Sequence, residues 1–157
     1  MSKIILYVMI FILGVLVIGG YFYYKTGPNY TAPTTLSTSS KVILKEKTFF
    51  VEIADTDQRR ALGLSGHAPL SENQGMLFIF DTPAVYEFWM KDMKFALDII
   101  WIDENMKIVY IQKSAQPESY PEVFNPRVKS LYVLEVLAGQ ADALKIGVGD
   151  TLKIVKN

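Results

Sequence analysis

Two carboxylates stand in stretches that are otherwise apolar: Asp98 in FALDIIWI (95–102) and Glu135 in LYVLEVL (131–137). Strand alternation puts Asp98 with Ala96, Ile100 and Ile102, and Glu135 with Leu131, Val133 and Leu137. An isolated carboxylate on such a face costs several kcal/mol or takes a raised pKa, so each needs a cation, hydrogen-bond donors or water. The candidate cations are Arg59, Arg60, Lys91 and Lys94, and Lys91 or Arg60 is the expected partner of Asp98. Along 86–91, alternation aligns Glu87, Trp89 and Lys91 opposite Tyr86, Phe88 and Met90. A lysine beside a tryptophan, one tight connection from Asp98, has two readings. One is a structural ion pair that locks strand register. The other is the polar floor of a pocket with an aromatic wall, the usual composition of a ligand site. The loop Lys113–Arg127 has three prolines and two aromatic residues, Tyr120 and Phe124, over 15 residues. That length suits either a stiff crossover or a lid facing Trp89 and Lys91.

Other chemistry is excluded by residue type. The chain has no cysteine and one histidine, His67. Disulfides and thiolate sites are therefore absent, and a zinc site lacks ligands. Gly63-Leu64-Ser65-Gly66-His67 lacks the final glycine of a nucleophile elbow and follows a helix rather than a strand, so Ser65 and His67 read as loop residues. Asp103-Glu104-Asn105 lacks calcium-loop spacing and reads as a solvated hairpin tip. Gly147-Val148-Gly149-Asp150 closes a helix and opens a strand, the reverse of a dinucleotide fingerprint. No cofactor is expected.

The elements that position these residues have mostly a period of two. Lys47–Ala54 is predicted as a strand with 41–44 as its hairpin partner. Thr56 caps a short helix over 57–62 that Gly63 stops. Strands follow over 76–80 and 85–90 around the turn Asp81-Thr82-Pro83, then a hairpin of 95–102 and 107–112. A long strand over 128–137, a helix over 140–146 and a closing strand over 151–155 complete the chain. The expected class is α+β, mainly β: an antiparallel sandwich or small barrel with two short helices.

Upstream, Ile4–Tyr24 has 21 residues without a charge. As a helix it reaches roughly 31 Å, enough to cross a bilayer's hydrocarbon core. Tyr21 to Tyr24 supply an aromatic belt, Lys3 and Lys25 flank the run, and no small-residue cleavage site follows. The expectation is one uncleaved transmembrane anchor (1–25), a Ser/Thr/Pro-rich tether (26–41) and a globular domain (42–157). A short basic inner flank places the carboxyl-terminal domain outside the cytoplasm, on the cytoplasmic membrane. That domain has 13 Lys plus Arg against 16 Asp plus Glu and no basic block, which argues against nucleic acid as a partner.

The segments around Arg60-x-x-Gly63-Leu64, Gly75-Met-Leu-Phe78, Phe88-Trp-Met-Lys91, Leu97-Asp98, Leu134-Glu135 and Gly149-Asp150 resemble the bacterial and archaeal family catalogued as domain of unknown function 192. The resemblance covers most of 47–155. It implies a domain that often follows an export signal or membrane anchor, and it names no activity. Three positions depart from the family pattern: His67 where arginine is usual, Asp92 where asparagine is favoured, and Ala96 where proline is common. If the family arginine contacts an anion, His67 weakens that role near neutral pH.

Two function classes follow. The first is a non-catalytic binding module, tethered outside the membrane, that recognises an envelope glycan or partner protein through Trp89, Lys91, Asp98, Glu135, Arg60, Tyr120 and Phe124. The second is a small hydrolase or lyase using Asp98 and Glu135 as paired carboxylates. The enzyme needs those two groups converging in a concave site, whereas the binding module needs an open aromatic surface.

Overall fold

The structure, a computed structural model, describes residues 40–156. The expected membrane span, and all but the last two residues of the tether, lie outside them. Among the described residues no helix is long and apolar enough to cross a membrane.

The chain begins with a hairpin, β1 (Ser40–Leu44) and β2 (Lys47–Ala54), turning at Lys45 with a positive φ of 55°. Thr56 then accepts the Arg59 N–H on its side chain and opens α1 (Asp57–Leu62), and Gly63 closes that helix with φ 52°. The remaining elements are β3 (Gln74–Ala84), β4 (Phe88–Trp89), β5 (Leu97–Ile102), β6 (Ile108–Ala115), a 3₁₀ turn (Pro117–Ser119), β7 (Val123–Phe124), β8 (Ser130–Leu137), α2 (Gln140–Ala143) and β9 (Leu152–Lys156).

Seven strands form one sheet in the order β6-β5-β8-β3-β2-β1-β9. Every pairing is antiparallel except β2 with β3, which the α1 crossover makes parallel. The two ends of that order meet at one corner. Lys107 bridges Thr151, the Ile108 N–H donates to the Asp150 carbonyl, and Leu152 N–H donates to the Met106 carbonyl. The sheet therefore curls into a half-barrel, α+β in class and mainly β.

Both faces of the curled sheet are packed. Inside lie Val42, Leu44, Phe49, Val51, Leu77, Ile100, Ile102, Leu134 and Val136, with Ala141 of α2 and Ile146 just after it closing the cluster. Outside lie Met76, Phe78, Ile99, Trp101 and Val133, covered by Leu64, Leu70, Met90 and Phe95 from the connecting segments. β5 is buried along all six residues as a result. Gly75 permits the closest approach within the sheet. A Cβ there would stand 2.6 Å from the Glu135 carbonyl oxygen, so only glycine lets β3 lie this near β8.

The structure corrects the sequence-based expectation at several points. The expected turn at Asp81-Thr82-Pro83 is the outer end of β3, where pairing with β8 lapses after Ile79 and resumes at Ala84. Proline has no N–H for the ladder, and a register shift accommodates it. The strand expected over 85–90 is reduced to β4, which leaves the main sheet and pairs with β7. The helix expected over 140–146 ends at Ala143. The tip residue Asp103 is more than solvated, since its Oδ1 accepts the N–H groups of Asn105 and Lys107.

Candidate functional site

The outer face of β3 and β8 is roofed on one side by α1 with the following turn, and on the other by the segment around β4. Between them lies a pocket of about 260 Å³. α1 contributes Arg60, the turn contributes Gly63 and Ser65, and the 86–93 segment contributes Tyr86, Glu87, Phe88, Trp89, Lys91 and Met93. The sheet supplies Phe78 and Phe80 from β3 and Glu135 from β8.

Aromatic packing sets the walls. Phe88 meets Phe78 edge-on with centroids 4.9 Å apart, and meets Trp101 edge-on at 5.6 Å. Trp101 itself is fully buried and donates its indole N–H to the Tyr86 carbonyl at 2.8 Å. Phe80 stacks on Tyr86, and the Arg60 guanidinium lies 5.4 Å from the Phe80 centroid. Trp89, the next residue, also lines the pocket but remains 53% exposed. Tyr120, 46% exposed, stands edge-on to it with centroids 6.4 Å apart. The pairing of β4 with β7 brings them together, setting Phe88 opposite Phe124 and Trp89 opposite Val123. The 113–127 segment thus reaches the Trp89 surface through Tyr120 and Phe124.

Glu135 is 5% exposed, between Met76 on β3 and Ile99 on β5 as its cross-strand neighbours. Neither neighbour offers a donor, and its Oε2 has no hydrogen-bond partner. Burial pushes its pKa up to about 8. Arg60 is held in place: its Nη1 donates to the carbonyls of Asp55 and Ile79, and its Nη2 bonds Asp57 at 2.6 Å. Lys91 is exposed and forms no ion pair among the described residues; its carbonyl accepts from the Ser65 hydroxyl, which leaves Ser65 a loop-bracing role.

Asp98 corrects two expectations. It is fully buried, but neither Lys91 nor Arg60 pairs with it. Its Oδ1 accepts the Ser114 N–H and its Oδ2 the Ala141 N–H, both at 2.8 Å, which pins β5 to the end of β6 and to the start of α2. Asp98 is paired with Val136 and Glu135 with Ile99, so the two carboxylates point to opposite faces of one sheet. Asp98 belongs to the inner side with Ile100 and Ile102, and Glu135 to the outer side with Ile99 and Trp101. They share no cleft, and acid–base work by the pair has no geometry to support it. His67 is buried with both ring nitrogens unpartnered and does not line the pocket.

Of the sequence-derived candidates, Arg60, Trp89, Lys91 and Glu135 meet in one pocket, Tyr120 and Phe124 flank it, and Asp98 lies elsewhere. Phe78, Phe80 and Tyr86 were not singled out beforehand. Alternation from Met76 through Phe78 to Phe80 was the available signal, since it places two rings on the face that Glu135 shares.

The family model described as "Uncharacterized ACR", domain of unknown function 192, matches residues 40–154. The chain belongs to this family. Two solved structures are similar to it. One, from Sinorhizobium meliloti 1021 and described as a candidate transcription regulator, is 28% identical, with a TM-score of 0.69 over 76% of this chain and 96% of its own. The other, a protein of unknown function from Novosphingobium aromaticivorans, is 26% identical, with a TM-score of 0.68 over 81% of this chain and 99% of its own. No curated protein matches the chain. Of the positions that carry the resemblance to the domain of unknown function 192 family, Arg60, Gly63, Leu64, Phe78, Phe88, Trp89, Lys91 and Glu135 line the pocket.

Proposed function

We propose that this family member is a non-catalytic binding module, and that its pocket takes one ring of an envelope glycan against Trp89. The observation that carries the reading is the half-exposed Trp89 beside Tyr120 at the mouth of a pocket with a carboxyl group inside. Aromatic faces offer large, rigid area to a sugar ring, and a few polar groups fix its orientation. The separation of Asp98 from Glu135 disfavours the hydrolase or lyase reading. The description of the Sinorhizobium relative raises nucleic acid as a partner, but a domain with more acidic than basic side chains and no basic block does not favour it. In the same proposal, residues 4–24 anchor the domain to the cytoplasmic membrane with the pocket on its outer side, where a glycan is within reach of a 16-residue tether, 26–41.

Tryptophan fluorescence tests the reading. Envelope glycan fragments are expected to shift the emission of the wild-type protein, and Trp89→Phe is expected to abolish most of that shift while leaving the melting temperature within about 2 °C. A glycan panel that leaves the emission unchanged overturns the reading. So does a response that survives in Trp89→Phe, because the remaining Trp101 is buried away from the mouth.

A further inference from the structure

The pocket holds a carboxyl group whose needs the protein leaves unmet. Glu135 is buried, its Oε2 has no donor, and no cation of the described residues bonds it. The charged groups around the pocket are Arg60, Glu87 and Lys91. Arg60 is held by two carbonyls and Asp57, and Glu87 accepts from Asn125 at 2.6 Å. Across Met76 on the same sheet face, Glu52 has a second buried carboxylate oxygen without a partner. Five aromatic residues, Phe78, Phe80, Tyr86, Phe88 and Trp89, line much of the remaining wall, beside aliphatic side chains of α1 and the following turn. Ring faces are the negative ends of their quadrupoles and attract a cation, and a buried carboxylate adds a full counter-charge.

We infer that the pocket takes an ammonium group, carried on the sugar ring that lies against Trp89, so that the ligand is an amino sugar with a free amine. This inference rests on the glycan reading above and narrows it. An anion in the same place would be repelled by Glu135 wherever that group is ionised, and of the two cations at the pocket Arg60 is already paired with Asp57. Lys91, exposed at the pocket, opposes a cation weakly because solvent screens it.

The inference carries a proton linkage. With the Glu135 pKa at about 8, the empty pocket holds a neutral acid at neutral pH. A cation binds the ionised form, so binding expels one proton. Affinity for a cation then rises about tenfold per pH unit from pH 6 towards pH 8 and levels off above. An anion would show the opposite slope.

The test uses the full chain in neutral detergent, read by Trp89 emission and by competition. The probes are glucosamine disaccharide, its N-acetylated form, and tetramethylammonium, whose charge does not vary with pH. The expected result is that the free amine binds at least about tenfold more tightly than the acetamide. Tetramethylammonium should show the tenfold-per-unit rise, Lys91→Ala should strengthen its binding a few-fold, and Glu135→Gln should remove the preference for a cation. Should Glu135→Gln fail to fold, the tetramethylammonium profile of the wild-type protein still decides the question. Equal binding of the amine and the acetamide overturns the ammonium inference and leaves the glycan reading standing. Tetramethylammonium binding with the expected slope, but no binding of either sugar, supports the ammonium site and overturns the glycan. No response to any probe overturns both, and tighter binding at lower pH overturns the sign of the charge.

Discussion

Replacing Glu135 by glutamine should change the pH dependence of stability more than stability itself. In the unfolded chain the carboxyl titrates near 4.5, and in the folded domain burial lifts it to about 8. Between those values the folded state keeps a proton that the unfolded state has released. A group with a raised folded pKa contributes stability that is fully present below the unfolded value and is lost as pH rises through the folded one. At 1.36 kcal/mol per pH unit, the loss across the whole window is roughly 5 kcal/mol, of which roughly 3 kcal/mol has accrued at pH 7. Glutamine fills nearly the same volume and cannot ionise, so the variant escapes that slope. Near pH 4 the two proteins should unfold within about 1 kcal/mol of each other, because both then bury a neutral group. At pH 8.5 the variant should be the more stable by several kcal/mol. Urea unfolding at four or five pH values, followed by the emission of the buried Trp101, measures the gap directly. Two parallel stability profiles would refute the reasoning. They would mean that Glu135 titrates in the folded protein as it does in the unfolded chain, so that water or a donor reaches Oε2 and the burial argument fails.

Asp98→Ala should destabilise the domain by about 2 to 5 kcal/mol, because it strands the buried N–H of Ala141 and the part-buried N–H of Ser114; Asp98→Asn should recover only part of this, as its amide can accept one of the two bonds. An Asp98→Ala variant with wild-type stability would show that water takes over both donors. Gly75→Ala places a methyl group 2.6 Å from the Glu135 carbonyl oxygen, and should cost about 1 to 3 kcal/mol while shifting the amide resonances of 134–136; unchanged resonances would mean that the β3–β8 spacing gives way elsewhere. The mature protein should fractionate with membranes and retain its first residues, and amino-terminal sequencing that begins near Thr31 or Pro33 would contradict the uncleaved anchor.

Much of the local structure was legible because its causes are local. Alternation in 47–54 and 97–102, the Thr56 hydroxyl before α1 and the glycine after it are features that a few consecutive residues settle among themselves. The anomaly of Asp98 and Glu135 was equally visible, since an acid among Ile, Leu and Val is conspicuous in any register. The sequence alone also grouped Glu87, Trp89 and Lys91 on one face of their segment, and the structure leaves all three exposed.

What resolves each anomaly was decided only by the tertiary structure. Alternation states which residues of one strand share a face, but not which strand lies beside it or what covers that face. Register across β5 and β8 turned Asp98 inward to two backbone donors and Glu135 outward to a pocket. The parallel pairing of β2 and β3, the lapse in pairing at Pro83 and the departure of β4 to meet β7 all depend on partners far along the chain. Lys91 and Arg60 were plausible cations for Asp98 by proximity in sequence. The fold placed the sheet itself between them and that carboxylate, and backbone N–H groups close at hand satisfied it instead. The residues that could do chemistry were thus visible one by one, whereas their assembly into one pocket, and the exclusion of Asp98 from it, followed from long-range strand pairing.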